Sequence, residues 1–118
     1  MRILIADGQE RIRFALRVLL AQQPGVAVVA EASSGQELLM QARLNAAELA
    51  LVDWELPGLA EAGGLPVFRH SFPALQIVVL SSRTGVSRAA LAAGADAFVS
   101  KSDPPERLLA VVRIGRMK

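Results

Sequence analysis

Four polar side chains each close an apolar run of the sequence: Asp7 after "RILIA", Asp53 after "LALV", Ser81 after "QIVVL" and Lys101 after "AFVS". Two carboxylates brought close together repel and raise one another's pKa unless a cation lies between them. Mg2+ suits that position, because it prefers carboxylate and water oxygens and keeps places open for a phosphate. An ammonium group supplies the point charge that a transferring phosphoryl group needs, and a hydroxyl can donate to one of its oxygens. Brought together, these four residue types describe phosphoryl transfer onto a carboxylate.

The elements that must position them follow from the hydrophobic pattern. Strand-length apolar runs at 2–6, 26–32, 49–52, 76–80 and 97–100 alternate with segments of helical periodicity. Ile12, Leu16, Leu19 and Leu20 share one helix face, and that helix ends before Pro24-Gly25. Ser33 or Ser34 caps a second helix with Leu38, Leu39 and Ala42 inward. Pro66 in a first turn and Pro73 as a stop leave about two turns for the third. "SRAALAA" (87–93) ends at Gly94, where a left-handed cap suits glycine, and Asp103 caps a last helix opened by Pro104-Pro105, with Leu108, Leu109 and Val112 facing inward.

Strict alternation with near-continuously apolar strands predicts an α/β fold, a doubly wound five-stranded parallel sheet covered on both faces. All strand ends then share one edge. With the order 2-1-3-4-5, the first and third strands are neighbours about 4.8 Å apart where the winding reverses, and Asp7 and Asp53 face each other across that point.

The 118 residues read as a single domain, 1–118, with a core of Leu, Val, Ile and Ala, since 53% are hydrophobic but only 4% aromatic. A net charge of +2 is too balanced to mark a nucleic-acid surface. The absence of Cys excludes disulfides and thiolate metal sites. No run reaches membrane-span length and no signal peptide is visible, so the expectation is a soluble, cytoplasmic domain with no membrane partner.

From "ILIADGQERIRFALRVLL" through "LVDWELPG" and "IVVLSS" to "LAAGADAFVSKSDPPERLL", the chain resembles the response-regulator receiver domains of two-component signalling. The resemblance implies that Asp53 is the phosphoacceptor for a histidine kinase, with Pro57 in the loop after it. It implies Ser81 as the switch hydroxyl, Phe98 as the switch aromatic and Lys101 as the phosphate-contacting lysine. Asp7, Asp53 and the backbone carbonyl of Glu55 are the implied Mg2+ ligands. No catalysis is implied beyond the domain's own aspartyl phosphorylation and dephosphorylation. "KSD" after the fifth strand is similar to the subclass usually followed by a helix-turn-helix DNA-binding domain. The implied partners are therefore a histidine kinase, a second copy of the chain, and an output domain outside it, with no nucleic acid bound by this domain itself.

One position departs from the family pattern: Gly8 stands where receivers usually carry a second acid, the direct metal ligand. The expectation is a weakened Mg2+ site, unless the side chain of Glu55, or else Glu10, supplies the missing carboxylate. A receiver switched by phosphate and a degenerate receiver that binds partners without phosphate both remain open. A flavin carrier on the same sheet is disfavoured, because "DGQERIR" is not a hydroxyl- and glycine-rich phosphate loop. His70 is expected on an outer helix face with no role. Arg107, Arg113, Arg116 and Lys118 complement the last helix dipole, and residues 114–118 are where a linker would start.

Overall fold

The computed structural model describes residues 1–116. Its five strands are β1 (Arg2–Ala6), β2 (Ala27–Ala32), β3 (Leu49–Asp53), β4 (Gln76–Ser81) and β5 (Ala97–Ser100). They alternate with helices α1 (Glu10–Ala21), α2 (Gly35–Leu44), α3 (Gly64–Ser71), α4 (Ser87–Ala92) and α5 (Pro105–Arg116). Every pairing is parallel and the strand order is β2-β1-β3-β4-β5, as the pattern predicts.

The period of two along each strand divides the core between the two faces. Leu4, Ala6, Ala50, Val52, Ile77 and Val79 point one way, to Leu38 of α2, Leu65 and Phe68 of α3 and Ala90 of α4. Ile3, Ile5, Leu49, Leu51, Val78, Leu80 and Val99 point the other way, to Leu20 of α1 and to Leu108 and Val112 of α5. Each fully buried leucine contributes roughly 1.5–3 kcal/mol relative to exposure. A one-residue slip of any strand would exchange the two faces, so the register is firmly set. One irregularity lies between Ile3 and Leu4, where the β1–β2 register shifts.

One helix start selects between two expected caps, and another departs from the expectation. Of the two serines before α2, Ser34 is the cap, accepting from the Glu37 backbone N–H at 3.2 Å, while Ser33 Oγ donates to the Glu37 carboxylate. That bond is the main reason the Glu37 carboxyl is held below its ordinary range. Asp103 does not cap α5: its Oδ2 turns back to accept from the Ser100 N–H at 3.1 Å, and the helix starts after Pro104. Residues 114–116 belong to α5, and Met117 and Lys118, where the expected linker start also falls, lie outside the described residues. Gly94 follows α4 with φ of 117°, the left-handed geometry expected of it. His70 is exposed on α3.

Candidate functional site

The strand register converges the polar residues on one edge. Ala6 pairs with Val52, so one further residue sets Asp7 beside Asp53; Ser81 pairs with Ser100, so Lys101 follows at the same level. The Lys101 N–H donates to the Ser81 carbonyl at 2.9 Å, tying the ends of β4 and β5 together. From there the Lys101 side chain crosses the edge, its Nζ lying 2.8 Å from Asp7 Oδ2 and 3.3 Å from Asp53 Oδ1.

The two carboxylates are held differently. Asp7 is 1% exposed, and its Oδ1 accepts from the Gln9 N–H at 2.9 Å, which turns the chain into α1. Asp53 Oδ1 accepts from the Glu55 N–H at 3.2 Å. Among the described residues, Asp53 Oδ2 is the one oxygen of the four with no hydrogen bond or ion pair. Burial, reinforced by the Asp7 charge, pushes the Asp53 carboxyl above its ordinary value, against the opposing pull of the Glu55 N–H and Lys101. For Lys101, burial is the largest single influence and acts downward. The Asp7 hydrogen bond and the charges of Asp53 and Asp7 together outweigh it, so its ammonium is held more firmly than an ordinary lysine's.

Ser81 is fully buried, and its Oγ accepts from the Arg83 N–H at 3.0 Å. The hydroxyl is thus tied to the loop that leads into α4. Phe98, opposite Val79 in the sheet, is partly buried against the core on the α2–α3–α4 face. The Pro57 carbonyl accepts from the Gly35 N–H at 2.8 Å, joining the loop after β3 to the start of α2.

Neither proposed substitute for an acid at position 8 joins the cluster. Glu10 is turned onto α1's own arginines, 2.5 Å from Arg13 Nη2 and 3.9 Å from Arg17 Nη2, and its side chain is 72% exposed. Glu55 is exposed, and only its backbone N–H reaches Asp53. Among the described residues, no three acids, histidines or cysteines are grouped to hold a metal ion. The space beside Gly8 is itself filled, since a Cβ there would sit 2.9 Å from Pro57 Cγ and Cδ. Asp7 and Asp53 already share an ammonium, the third acid is lacking and its place is closed. These residues do not fit a divalent-metal centre.

Arg13 is the site residue that sequence reasoning missed. Its Nη1 donates to the Asp7 carbonyl at 2.7 Å and its Nε to Glu31 Oε1 at 3.0 Å, bracing the loop that holds Asp7 against β2. Arg17 joins the same Glu31 at 2.5 Å. The signal available was the Glu10–Arg13 spacing of three on one helix, which marks a neighbouring pair without saying where its arginine reaches.

The sequence profile described as the response regulator receiver domain matches residues 3–113. The chain belongs to that family. Receiver domains in general bind Mg2+, which sets this receiver's Gly8 apart. The transcriptional activator protein ExaE of Pseudomonas putida is 35% identical over 115 residues, covering 96% of this receiver and 54% of ExaE. The receiver therefore spans about half the length of that relative. A LuxR-family two-component response regulator from Aurantimonas sp. SI85-9A1 superposes with a TM-score of 0.85 at 31% identity, over 99% of this receiver and 86% of that chain. The response regulator RcsB, solved in complex with DNA, gives a TM-score of 0.88 at 25% identity over 97% of this receiver and 61% of that chain. Among the receiver's described residues, no helix is long and apolar enough to cross a membrane.

Proposed function

We propose that this receiver accepts a phosphoryl group from a histidine kinase on Asp53 and uses it to change a protein-interaction face. The observation that carries the reading is the state of Asp53 Oδ2: among the described residues it has no hydrogen-bond partner, while its sibling oxygen is fixed by the Glu55 N–H and lies 3.3 Å from the Lys101 ammonium. In the transfer, Oδ2 bonds to phosphorus as the bond from phosphorus to the kinase imidazole nitrogen breaks. The departing nitrogen keeps the electron pair and takes up a proton. Lys101 offsets charge on the phosphoryl oxygens. Ser81 Oγ contacts one of them after releasing the Arg83 N–H, which carries the change into the loop before α4. Phe98, on the neighbouring strand, is the aromatic whose packing follows that loop. Beyond this self-modification and its reversal, the domain is not an enzyme.

The output in this reading is regulation of transcription through a DNA-binding domain outside residues 1–118, or through pairing with a second copy. ExaE is a transcriptional activator and RcsB binds DNA, and both are longer than this receiver. The receiver itself makes no direct nucleic-acid contact in this scheme, and it works in the cytoplasm.

The test is exposure to a small phosphodonor such as acetyl phosphate, read by intact mass. One phosphoryl group is expected on the wild type and none on Asp53→Asn. A second reading, favoured by Gly8 and the Pro57 ring packed against it, is a receiver that binds its partner without phosphate. No label on the wild type, with partner binding equal in wild type and Asp53→Asn, is the result that selects it.

A further inference from the structure

We propose that Lys101 is the resident cation of this receiver's site and takes the place of a divalent metal. The inference deepens the reading of the Asp53 cavity as the receiver's site.

Three of the four carboxylate oxygens are already committed: Asp7 Oδ1 to the Gln9 N–H, Asp7 Oδ2 to Lys101 Nζ, and Asp53 Oδ1 to the Glu55 N–H and Lys101. A hard divalent ion bound by both carboxylates would stand beside an ammonium that already bridges them, and the like charges would repel. The acid that could tip the balance is missing at Gly8, and Pro57 Cγ and Cδ lie 2.9 Å from where its Cβ would be. The two acids nearest in sequence are diverted, Glu10 by Arg13 and Arg17, Glu55 to the exposed rim. Lys101, by contrast, is built in: its backbone N–H is fixed by Ser81 on the neighbouring strand, and its side chain is only 22% exposed. One positive charge against two carboxylates leaves the cluster with a net charge of about −1 at neutral pH. A fixed ammonium can hold such a cluster together without an exchangeable ion.

The experiment is thermal unfolding of the whole chain in EDTA and in millimolar MgCl2, for the wild type and Lys101→Met. The wild-type midpoint is expected to be the same in both solutions. Lys101→Met is expected to unfold at a lower temperature in EDTA and to recover part of the loss as Mg2+ is added, in a saturable manner, because two freed carboxylates then share a vacant cation position. A saturable rise of the wild-type midpoint with Mg2+ overturns the proposal, and so does a Lys101→Met midpoint indifferent to Mg2+. Should Lys101→Met fail to fold, Mn2+ titration of the wild type decides alone, read by the fluorescence of Trp54, which adjoins Asp53. No saturable quenching is expected, and quenching that Asp53→Asn abolishes contradicts the proposal. None of these readouts uses a phosphodonor, so failure of phosphoryl acceptance and failure of this inference are separate results.

Discussion

At the scale of residues, the cavity holds an electrostatic conflict at Asp53. Burial and the neighbouring Asp7 raise the Asp53 carboxyl above its ordinary value of 3.8, so its ionised form is held at a cost. A carboxyl whose folded pKa lies above its unfolded one favours the folded state fully below the unfolded value, and that contribution is lost as pH rises through the folded pKa. Asp53→Asn is therefore expected to unfold at higher denaturant than the wild type at pH 7, with the difference shrinking as pH falls toward 4. Urea titrations across that range measure it; a variant less stable than wild type at pH 7 would contradict the charge balance. Asp7, Asp53, Ser81 and Lys101 were legible in the sequence because each is a polar group ending an apolar strand, and a parallel sheet sends all such ends to one edge. The directions of Glu10 and Asp103 were not, because each depends on competition among local partners. Glu10 had two arginines within two turns of α1, and Asp103 had the Ser100 N–H within reach as well as the helix start.

At the scale of elements, the loop after β3 is packed closely against the start of α2 and against the loop after β1. Gly35 opens α2 directly against this loop: a Cβ there would lie 2.6 Å from both Gly58 O and Leu59 Cα, which are backbone atoms with little freedom to yield. Gly35→Ala is accordingly expected to destabilise the fold by about 1–3 kcal/mol, the usual cost of overpacking. Chemical denaturation checks it, and a loss below a few tenths would show that the loop yields freely. The strands and their faces were readable because alternate residues such as Leu4 and Ile5 serve opposite cores, a strict period that few other arrangements satisfy. The contacts of Gly8 with Pro57 and of Gly35 with Gly58 were not readable, since a missing side chain carries no sign of what fills its space.

At the scale of the whole molecule, the site lies at the reversal of winding between β1 and β3, and the helices divide around it. A phosphoryl group on Asp53 replaces one negative charge with about two at neutral pH. In the proposed switch, the lysine bridging the cluster then faces a larger anion, and the buried Ser81 hydroxyl is the donor that turns toward it. Under the proposed function that turn would cost the Ser81–Arg83 bond, and the loop before α4 with the face formed by α4, β5 and α5 would respond. This is how one acyl phosphate on a 118-residue receiver would reach a partner domain or a second copy. The most direct measurement is chemical mapping of that phosphate: treatment with acetyl phosphate, reduction of the acyl phosphate with borohydride, then tandem mass spectrometry of the peptides. The account predicts homoserine at position 53 and nowhere else. Homoserine at another aspartate, or at none, would contradict it.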